Sequence, residues 1–362
     1  MSRRVHLPLA LDTAAMMPRV QAPWVDALLD GEPVPTEPGA TCDACAMLPD
    51  PEAPAAVGGT WFNPATRCCT YLPELSNFLV GGALEAGGEG AATTRARIEA
   101  REGMSPLGLY QDDLFRSRYF GSPEEFGRAE LLVCPHFSGG RCTIWAHREA
   151  TCATWFCKHA RGAVHKAFWN RLHQAMLRME RAMAVHCAVE LGVPADGLAL
   201  LLPLVGPDGR ARSHDIVSPG DRDDVARFWG PWTGREEDFF RACATVAEGA
   251  SWDEVLAVGG AELRALIPVA RMALSRTREH GLPARATLGT FQVLGLAAAS
   301  VKVQGYSHLD PLDMPRALFD VLHHFDGRAT VDALADASEV AGQEVPPGAI
   351  RMLLDFGVLR PA

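Results

Sequence analysis

The sequence predicts a mainly α-helical protein with a loop-rich, cysteine-bearing N-terminal region and a small α+β unit of the winged-helix type at its C-terminus. Three observations lead to this prediction. Prolines and glycines interrupt residues 1–72, which show little apolar periodicity. Apolar residues then recur at helical spacing through 158–191. Further on, an alternating stretch at 290–306 precedes three short helical patterns.

Length and hydropathy indicate a multidomain protein without a membrane anchor. The chain has 362 residues, 48% of them hydrophobic, and a mean hydropathy near zero, which suffices for two or three domains. We expect a cysteine-cluster domain at 1–160, a helical domain at 161–285 and a hairpin plus winged-helix-like module at 286–362. Nothing approaches the roughly 20 apolar residues of a membrane span, and Pro8 and Asp12 break the N-terminal apolar run. We therefore expect a cytoplasmic protein whose thiols stay reduced.

Charge argues against binding to nucleic acid. The formal net charge is −10, whereas neutralising phosphates requires a surplus of lysine and arginine. Residues 312–362 carry four arginines, no lysine and eight acids, so 4 − 8 = −4. We therefore expect the C-terminal module to bind a protein or peptide. Two roles of its hairpin stay open: Val301 and Val303 offer a strand edge to an extended peptide, or the hairpin only packs on the helical half.

The elements of the first half follow from start, stop and periodicity signals. Residues 1–72 are predicted as loop, and Ser122-Pro123-Glu124-Glu125 has the composition of a helix N-terminus. The longest helix is predicted from Lys158 to Leu191, before Gly192 and Pro194. Two interpretations of its basic residues stay open. Their side chains either form a solvent-exposed helix face, or they lie beside the cysteines and lower the pKa of the thiols. These residues are Lys158, Arg161, Lys166, Arg171, Arg178 and Arg181.

The second half is predicted as a strand, three helices, a hairpin and three more helices. The strand covers Ala199–Val205 and is followed by a turn at 207–209. The predicted helices cover 235–248, 251–257, 261–280, 315–325, 330–338 and 346–356, and the hairpin strands cover 290–294 and 300–306. A turn is predicted at 326–328. The apolar positions predicted to form the core of the last unit are Leu318, Val321, Leu322, Phe325, Leu334, Leu353, Leu354 and Leu359.

Eight of the ten cysteines fall within one third of the chain, and they are the candidate metal ligands. They are Cys42, Cys45, Cys68, Cys69, Cys134, Cys142, Cys152 and Cys157. A Cys-x2-Cys step directs two thiolates to one ion, as in zinc and iron–sulfur sites. Buried apolar thiols and a secreted disulfide framework are the alternatives. The remaining two cysteines, Cys187 and Cys243, are predicted to be buried apolar residues.

Two features of the cysteine pattern carry expectations about geometry. Side chains of adjacent residues diverge in extended backbone, so Cys68 and Cys69 are expected to serve different ions or different irons of one cluster. Cys157 is expected at the start of the long helix, where the helix dipole favours a thiolate.

The later cysteines lie in a recognisable motif. It reads Cys134-Pro135-His136-Phe137, then Gly140-Arg141-Cys142-Thr143-Ile144-Trp145, followed by Arg148, Cys152 and Cys157. This motif resembles the second half of the YkgJ-type cysteine-cluster proteins, a zinc- or iron-chelating family also named for the pattern CxxCxxCC. The resemblance covers about residues 42–160. The first half departs from the family pattern, because 22 residues separate Cys45 from Cys68 where the family has only a few.

The resemblance implies chelation of zinc or iron by these cysteines. Some relatives accompany protein lysine methylation, but this chain has no glycine-rich nucleotide loop after a strand, so we do not transfer that activity. Three histidines near the motif are further candidate ligands: His136, His147 and, most of all, His159, two residues beyond Cys157.

Two functions remain open from the sequence. The first is a metalloprotein with an iron–sulfur cluster or zinc that acts as a redox enzyme or modifies a protein or peptide. The second is a protein-interaction scaffold in which zinc is purely structural. Eight clustered cysteines exceed the four of one structural zinc site, which favours a cluster or two metal ions.

Overall fold

The chain is mainly helical and has small antiparallel sheets, as predicted. A computed structural model describes residues 16–48, 61–101, 103–122, 125–201 and 228–362. Contacts divide the chain into two compact units. The first unit comprises residues 1–33, 39–155 and 172–269, and the second comprises 34–38, 156–171 and 270–362. No described helix has the length and apolar content needed to cross a membrane.

Twelve α-helices lie in the described ranges. They are α1 (Ala22–Leu28), α2 (Asn77–Glu85), α3 (Gly88–Glu99), α4 (Asp113–Gly121), α5 (Ala150–Thr154), α6 (Gly162–Glu190), α7 (Ala195–Leu201), α8 (Glu236–Gly249), α9 (Trp252–Arg276), α10 (Arg316–Asp320), α11 (Thr330–Ala341) and α12 (Pro347–Asp355). Short 3-10 turns occupy Glu130–Leu132, Trp145–His147, Gly230–Trp232 and Leu322–His324.

The strands that the structure describes are short and pair antiparallel. They are β1 (Leu75–Ser76), β2 (Met104–Ser105), β3 (Gly108–Leu109), β4 (Phe137–Ser138), β5 (Arg141–Cys142), β6 (Arg285–Leu288), β7 (Gln292–Leu296), β8 (Ser300–Gln304), β9 (Leu312–Pro315), β10 (Asp326–Ala329) and β11 (Leu359–Pro361). Their order is β1-β3-β2 and β4-β5 in the first unit, and β10-β6-β11 and β7-β8-β9 in the second.

In the first unit, α2 packs closely against α8. A Cβ atom on Gly81 would lie 1.9 Å from the backbone oxygen of Phe240, so only glycine permits this approach. Cys187 and Cys243 are fully buried, and the Cys187 thiol donates a 3.6 Å hydrogen bond to the backbone oxygen of Cys243. The prediction that these two cysteines are core residues is confirmed.

The long helix α6 is confirmed, but it begins later than predicted. Its first residue is Gly162, whose positive φ of 47° marks the bend into the helix. The chain leaves the helix at Gly192, where φ is 75°, as the stop signal predicted. Cys157 lies five residues before the first helical residue, so its expected position at a helix N-terminus is wrong.

One prediction of local structure in the first half is wrong, and another falls partly outside the described residues. Residues predicted as loop contain α1, which starts with a proline in its first turn and buries Trp24, Val25 and Leu28. Of the helix start predicted at 122–125, Ser122 is not helical, Glu125 lies in a 3-10 turn, and 126–128 form a turn in which Gly127 has φ +76°. Pro123 and Glu124 lie outside the described residues. Capping residues alone do not extend a helix when no apolar face follows them.

The predicted strand at 199–205 is also wrong where the structure describes it. Residues up to Leu201 belong to α7, which buries Leu198 and Leu201. A short apolar run does not distinguish a strand from a buried helical segment. Residues 202–205 and the turn predicted at 207–209 lie outside the described residues.

Helix α9 contains both helices predicted between residues 251 and 280. Gly260 has φ +66° and ψ −158°, which breaks the helical geometry between them. Helix α8 matches the prediction for 235–248 within a residue or two. Periodicity therefore located these helices well, because each has one buried face.

The second unit has the hairpin and helices that were predicted, with additional strands. Strands β7 and β8 pair as the expected hairpin, and β9 extends the sheet beyond β8. The predicted turn at 326–328 is strand β10, which pairs with β6. All eight predicted core positions lie in or against one apolar cluster, with Leu334 and Leu354 at its margin.

The docking strand predicted from Val301 and Val303 is wrong. Strand β8 lies between β7 and β9, and both valines are fully buried. The exposed edge belongs to β7, where Val293, Leu294 and Leu296 are 45%, 48% and 64% exposed. Alternation predicted two strands correctly but did not show which of them a third strand would cover.

Candidate metal centre

Seven of the eight candidate cysteines belong to the first unit, and short irregular segments position them. Cys45 closes a loop through a bridge to Ala40. Cys134 follows a 3-10 turn, Cys142 lies in β5 and Cys152 lies in α5. The eighth, Cys157, is half-buried and belongs to the second unit. None of the ten cysteines, all of which are described, forms a disulfide.

The seven thiols are close enough to influence one another's ionisation, and five of them interact with Cys68. Burial raises the pKa of four of them, and negative charge on Cys68 raises it further. These four are Cys42, Cys45, Cys134 and Cys142. Burial also raises the pKa of Cys152, with contributions from Glu149, Cys134 and Cys142. Segments that are separated by up to 110 positions in sequence therefore meet in one cluster.

Backbone N–H groups oppose the effect of burial at four sulfurs. In Cys45, Cys134 and Cys142 the group belongs to the residue two positions further on: Met47, His136 and Ile144 respectively. The sulfur of Cys42 interacts with the N–H of Cys142. A thiol is a weak acceptor, so these dipoles favour the thiolate form, which is the form that binds metal.

Cys68 and Cys69 form a hydrogen-bonded pair. Donation from the Cys69 thiol lowers the pKa of Cys68 to about 7 and raises that of Cys69. The guanidinium groups of Arg148 and Arg67 also lower the pKa of Cys68. The two residues follow Arg67, whose φ of 50° places the chain in a turn. The expected divergence of their side chains is therefore wrong, because the backbone is not extended.

Two arginines hold the segments of the cluster together. Arg148 is buried, and its guanidinium donates to the backbone oxygens of Met16 (3.0 Å), Trp145 (3.0 Å) and Cys152 (3.2 Å). It also stacks on the Trp145 ring at 3.3 Å. Arg67 donates to the backbone oxygens of Cys42 and Gly140. These cations were not predicted for this role, although Arg67 directly precedes the cysteine pair.

Buried carboxylates form another part of the site that the sequence analysis missed. Glu149 caps α5, accepting the N–H of Cys152 at 2.9 Å and of Thr151 at 2.6 Å. Glu180 accepts the N–H of Ala150 at 2.7 Å. Both side chains are nearly inaccessible to solvent. A glutamate three residues before Cys152 was a readable capping signal for Glu149, whereas no local pattern indicated Glu180.

The three candidate histidines occupy different surroundings. His136 is completely buried, neither ring nitrogen has a hydrogen-bond partner, and burial lowers its pKa to about 3. His147 is buried against Gly82 of α2. His159 belongs to the second unit, where its N–H donates to Tyr306 and Asp310 and burial lowers its pKa to about 4. Among the three, His136 combines proximity to a cysteine with unused ring nitrogens.

The thiols lie near one another, but they do not surround a common point at which a metal ion would sit. Among the described residues, no three or more histidine, cysteine, aspartate or glutamate side chains form a ready-made metal-binding group. The donor chemistry nevertheless fits a thiophilic metal, because it combines thiols, amide dipoles directed at sulfur and an orphaned imidazole.

Comparison with known proteins gave no match to a family model, to a curated protein or to a solved structure.

Proposed function

We propose that the chain is a metal-binding cysteine-cluster protein, with an iron–sulfur cluster or zinc held in its first unit. The observation that supports this most is the proximity of five other thiols to that of Cys68, four of them with backbone N–H groups directed at sulfur. The resemblance of the segment 134–157 to the YkgJ-type proteins supports the same proposal. Ten free thiols suit the reducing cytoplasm, where we place the protein.

The residues that would hold the metal are the seven candidate cysteines of the first unit: Cys42, Cys45, Cys68, Cys69, Cys134, Cys142 and Cys152. Because the thiols do not already surround one point, loading requires them to lose protons and move together. Arg67 and Arg148 assist this by stabilising negative charge on Cys68. An iron–sulfur cluster would supply one-electron redox chemistry. A zinc ion would instead stabilise the fold by linking the cysteine-bearing loops. The chain's own contribution is to orient the thiols and neutralise their charge.

Metal analysis with an absorption spectrum separates the two forms of the proposal. The protein is purified without oxygen, and iron, sulfide and zinc are measured per chain. A brown protein with iron and acid-labile sulfide supports a redox enzyme or an enzyme that modifies a protein or peptide. A colourless protein with stoichiometric zinc supports the interaction scaffold. A protein that takes up neither after anaerobic reconstitution contradicts both.

Serine replacements locate the ligands. We expect Cys134→Ser, Cys142→Ser and Cys152→Ser to reduce bound metal, with Cys187→Ser and Cys243→Ser as matched controls from the buried core of the same unit. Loss of metal in the controls but not in the cluster variants would show that the site is elsewhere.

Chelation tests whether the metal holds the first unit together. Thiolate–metal bonds contribute on the order of 10 kcal/mol to folding in small zinc proteins, and the segments at 39–48 and 61–72 have little regular structure. Limited proteolysis after chelation should cut before residue 160 first. Equal resistance of the loaded and chelated protein would contradict a structural contribution from the metal.

We further propose that the second unit, with its winged-helix-like order of elements, binds an extended protein or peptide segment and not nucleic acid. Support comes from β7, which pairs on one side only and exposes Val293, Leu294 and Leu296. An extended peptide adds to such an edge through main-chain hydrogen bonds. The acidic balance of residues 312–362 disfavours DNA.

A displayed random-peptide library tests this docking edge. Wild-type protein should select extended apolar peptides, and Leu294→Asp should lose them. Val340→Asp, which changes another exposed apolar residue of the same unit, is the control. Salt-sensitive binding to duplex DNA, or equal selection by both variants, would contradict the proposal.

A further inference from the structure

A cavity of about 670 Å³ opens in the first unit beside the segment that carries Cys152. Glu149 and Thr151 form one wall, and residues of α6, including Glu180 and Arg181, form another. Leu107, Leu177 and Val185 supply apolar surface. Small-molecule sites typically have volumes of about 300–1,000 Å³ and combine apolar walls with a few polar groups.

The charges that line this cavity are unbalanced. Four glutamates and two arginines contribute to the lining, and burial favours the protonated form of two of these acids, Glu149 and Glu180. Glu262 pairs with Arg178 at 3.2 Å, and Glu74 lies 3.8 Å from Arg116. In the described part of the chain, no cation lies within ion-pair distance of Glu149 or Glu180. Arg181 is near enough to lower the pKa of Glu180, but burial outweighs it and raises that pKa well above its ordinary value.

Glu180 also has an unused oxygen. Both hydrogen bonds to its carboxylate, from Gln21 at 2.5 Å and from Ala150 at 2.7 Å, end on Oε1. No donor among the described residues reaches Oε2, although the side chain is 97% buried and lines the cavity. A carboxylate oxygen that borders a cavity can accept a hydrogen bond from a ligand bound there.

Two tyrosines complete the surroundings of these acids. Tyr71 and Tyr110 both line the cavity. Burial raises the pKa of Tyr71, and negative charge on Glu149 and Glu74 raises it further. Burial and negative charge on Glu74 and Glu180 raise the pKa of Tyr110 in the same way. Aromatic faces attract organic cations, and the attraction strengthens when water is excluded.

From this geometry we propose that the cavity binds a small organic cation, an ammonium or guanidinium group on an apolar body. The free cavity holds Glu180 protonated, and the bound cation displaces that proton, so that Oε2 accepts the cation's N–H groups while the tyrosine rings flank it. The apolar part lies against Leu107, Leu177 and Val185. This site uses none of the candidate metal ligands, so the proposal stands independently of the metal.

Three probes of one shape test the charge requirement: benzylamine, benzyl alcohol and benzoate. Binding to the full-length protein is measured by isothermal titration calorimetry, or by ligand-observed NMR if it is weak. A charge-assisted hydrogen bond contributes about 1.5–3 kcal/mol, so benzylamine should bind about tenfold or more tightly than benzyl alcohol. Benzoate should bind more weakly still.

Two variants test whether Glu180 determines the preference for benzylamine. Glu180→Gln keeps the shape and an oxygen acceptor for Ala150, and should lower the affinity for benzylamine about tenfold. Glu190→Gln, an exposed change of the same charge on the same helix, should leave it within about twofold. Circular dichroism and thermal melting establish that both variants are folded.

Three outcomes would overturn the proposal. Tighter binding of benzoate would show that Arg178 and Arg181 determine the preference. Equal affinity of Glu180→Gln and wild type would show that Oε2 is not the acceptor. The absence of benzylamine binding at concentrations up to about 10 mM, with folded protein, would show that Glu180 keeps its proton.

Discussion

The carboxylate of Glu180 on α6 accepts the backbone N–H of Ala150, the first residue of α5, at 2.7 Å. Glu149 accepts the next two N–H groups, those of Thr151 and Cys152. Two buried acids therefore satisfy the start of the short helix that carries Cys152. A five-residue helix cannot hold itself together in water, so the position of this cysteine depends on side chains that lie outside the cysteine motif.

Glu180 should make the protein less stable as pH rises. Burial raises its pKa in the folded state, whereas the unfolded chain releases this proton near pH 4.3. Above that pH the unfolded state binds fewer protons than the folded state, so the free energy of unfolding falls as pH rises toward the folded-state pKa. The slope from this group approaches about 1.4 kcal/mol per pH unit.

Urea denaturation of wild type and Glu180→Gln between pH 4 and 8 measures this effect. The variant should gain stability relative to wild type as pH increases, while Glu190→Gln should follow wild type throughout. A constant difference between Glu180→Gln and wild type would mean that Glu180 is ionised in the folded protein.

Replacing Arg148 should destabilise the first unit and make Cys68 less reactive. Arg148→Met removes donors to three backbone oxygens, and each unsatisfied buried acceptor costs about 1–3 kcal/mol. It also removes a positive charge that lowers the pKa of Cys68. We expect a loss of at least about 2 kcal/mol in urea denaturation and slower alkylation of Cys68 by iodoacetamide at pH 7 in metal-free protein.

Arg141→Met is the matched control for this prediction. Arg141 is an exposed arginine next to Cys142, so its loss should change stability by less than about 0.5 kcal/mol. Similar effects of both substitutions would show that net charge, and not the contacts of Arg148, determines the result.

Glu37 should be essential to the second unit. Its carboxylate is buried and accepts hydrogen bonds from His165 Nδ1 (2.8 Å), Trp169 Nε1 (2.7 Å) and the N–H of Ala160 (2.6 Å). Glu37→Ala leaves these donors without a partner and should cost about 3–5 kcal/mol. Thermal melting followed by tryptophan fluorescence measures the loss, and exposed Glu279→Ala provides the comparison. A small effect of Glu37→Ala would mean that water replaces the carboxylate.

Two glycines of the second unit should respond to alanine in opposite directions. At Gly305 a Cβ atom would lie 2.0 Å from the backbone oxygen of Phe356, so Gly305→Ala forces the chain apart and should cost about 1–3 kcal/mol. At Gly348 in α12 nothing lies within 4 Å, so Gly348→Ala should stabilise by about 0.5–1 kcal/mol. A raised denaturation midpoint for Gly305→Ala would contradict the close approach at Gly305, and a lowered midpoint for Gly348→Ala would contradict the open space at Gly348.

Patterns within one element predicted that element well. Helix α6 followed from apolar residues at helical spacing, and α8 and α9 followed in the same way. The hairpin of β7 and β8 followed from alternation. In each case the signal is local, because one face of the element is buried and side-chain direction repeats with a fixed period.

The composition of the candidate site was also predictable, but its arrangement was not. The clustered cysteines, and the core positions of Cys187 and Cys243, could be read from spacing and isolation in the chain. The participation of Arg67, Arg148 and Glu180 could not, since each depends on which distant backbone groups it meets. The contact between Cys68 and Cys69 depends on a turn that the extended-backbone expectation did not include.

By itself the sequence determined the inventory of thiols, the main helices and the hairpin, because all of these depend on residue type and local period. Only the tertiary structure decided that β8 is the central strand and β7 the exposed edge, and that Glu180 caps Ala150 beside a cavity. These relationships join residues far apart in the chain. Their free energy comes from burial and hydrogen bonds that exist only once the segments have packed together.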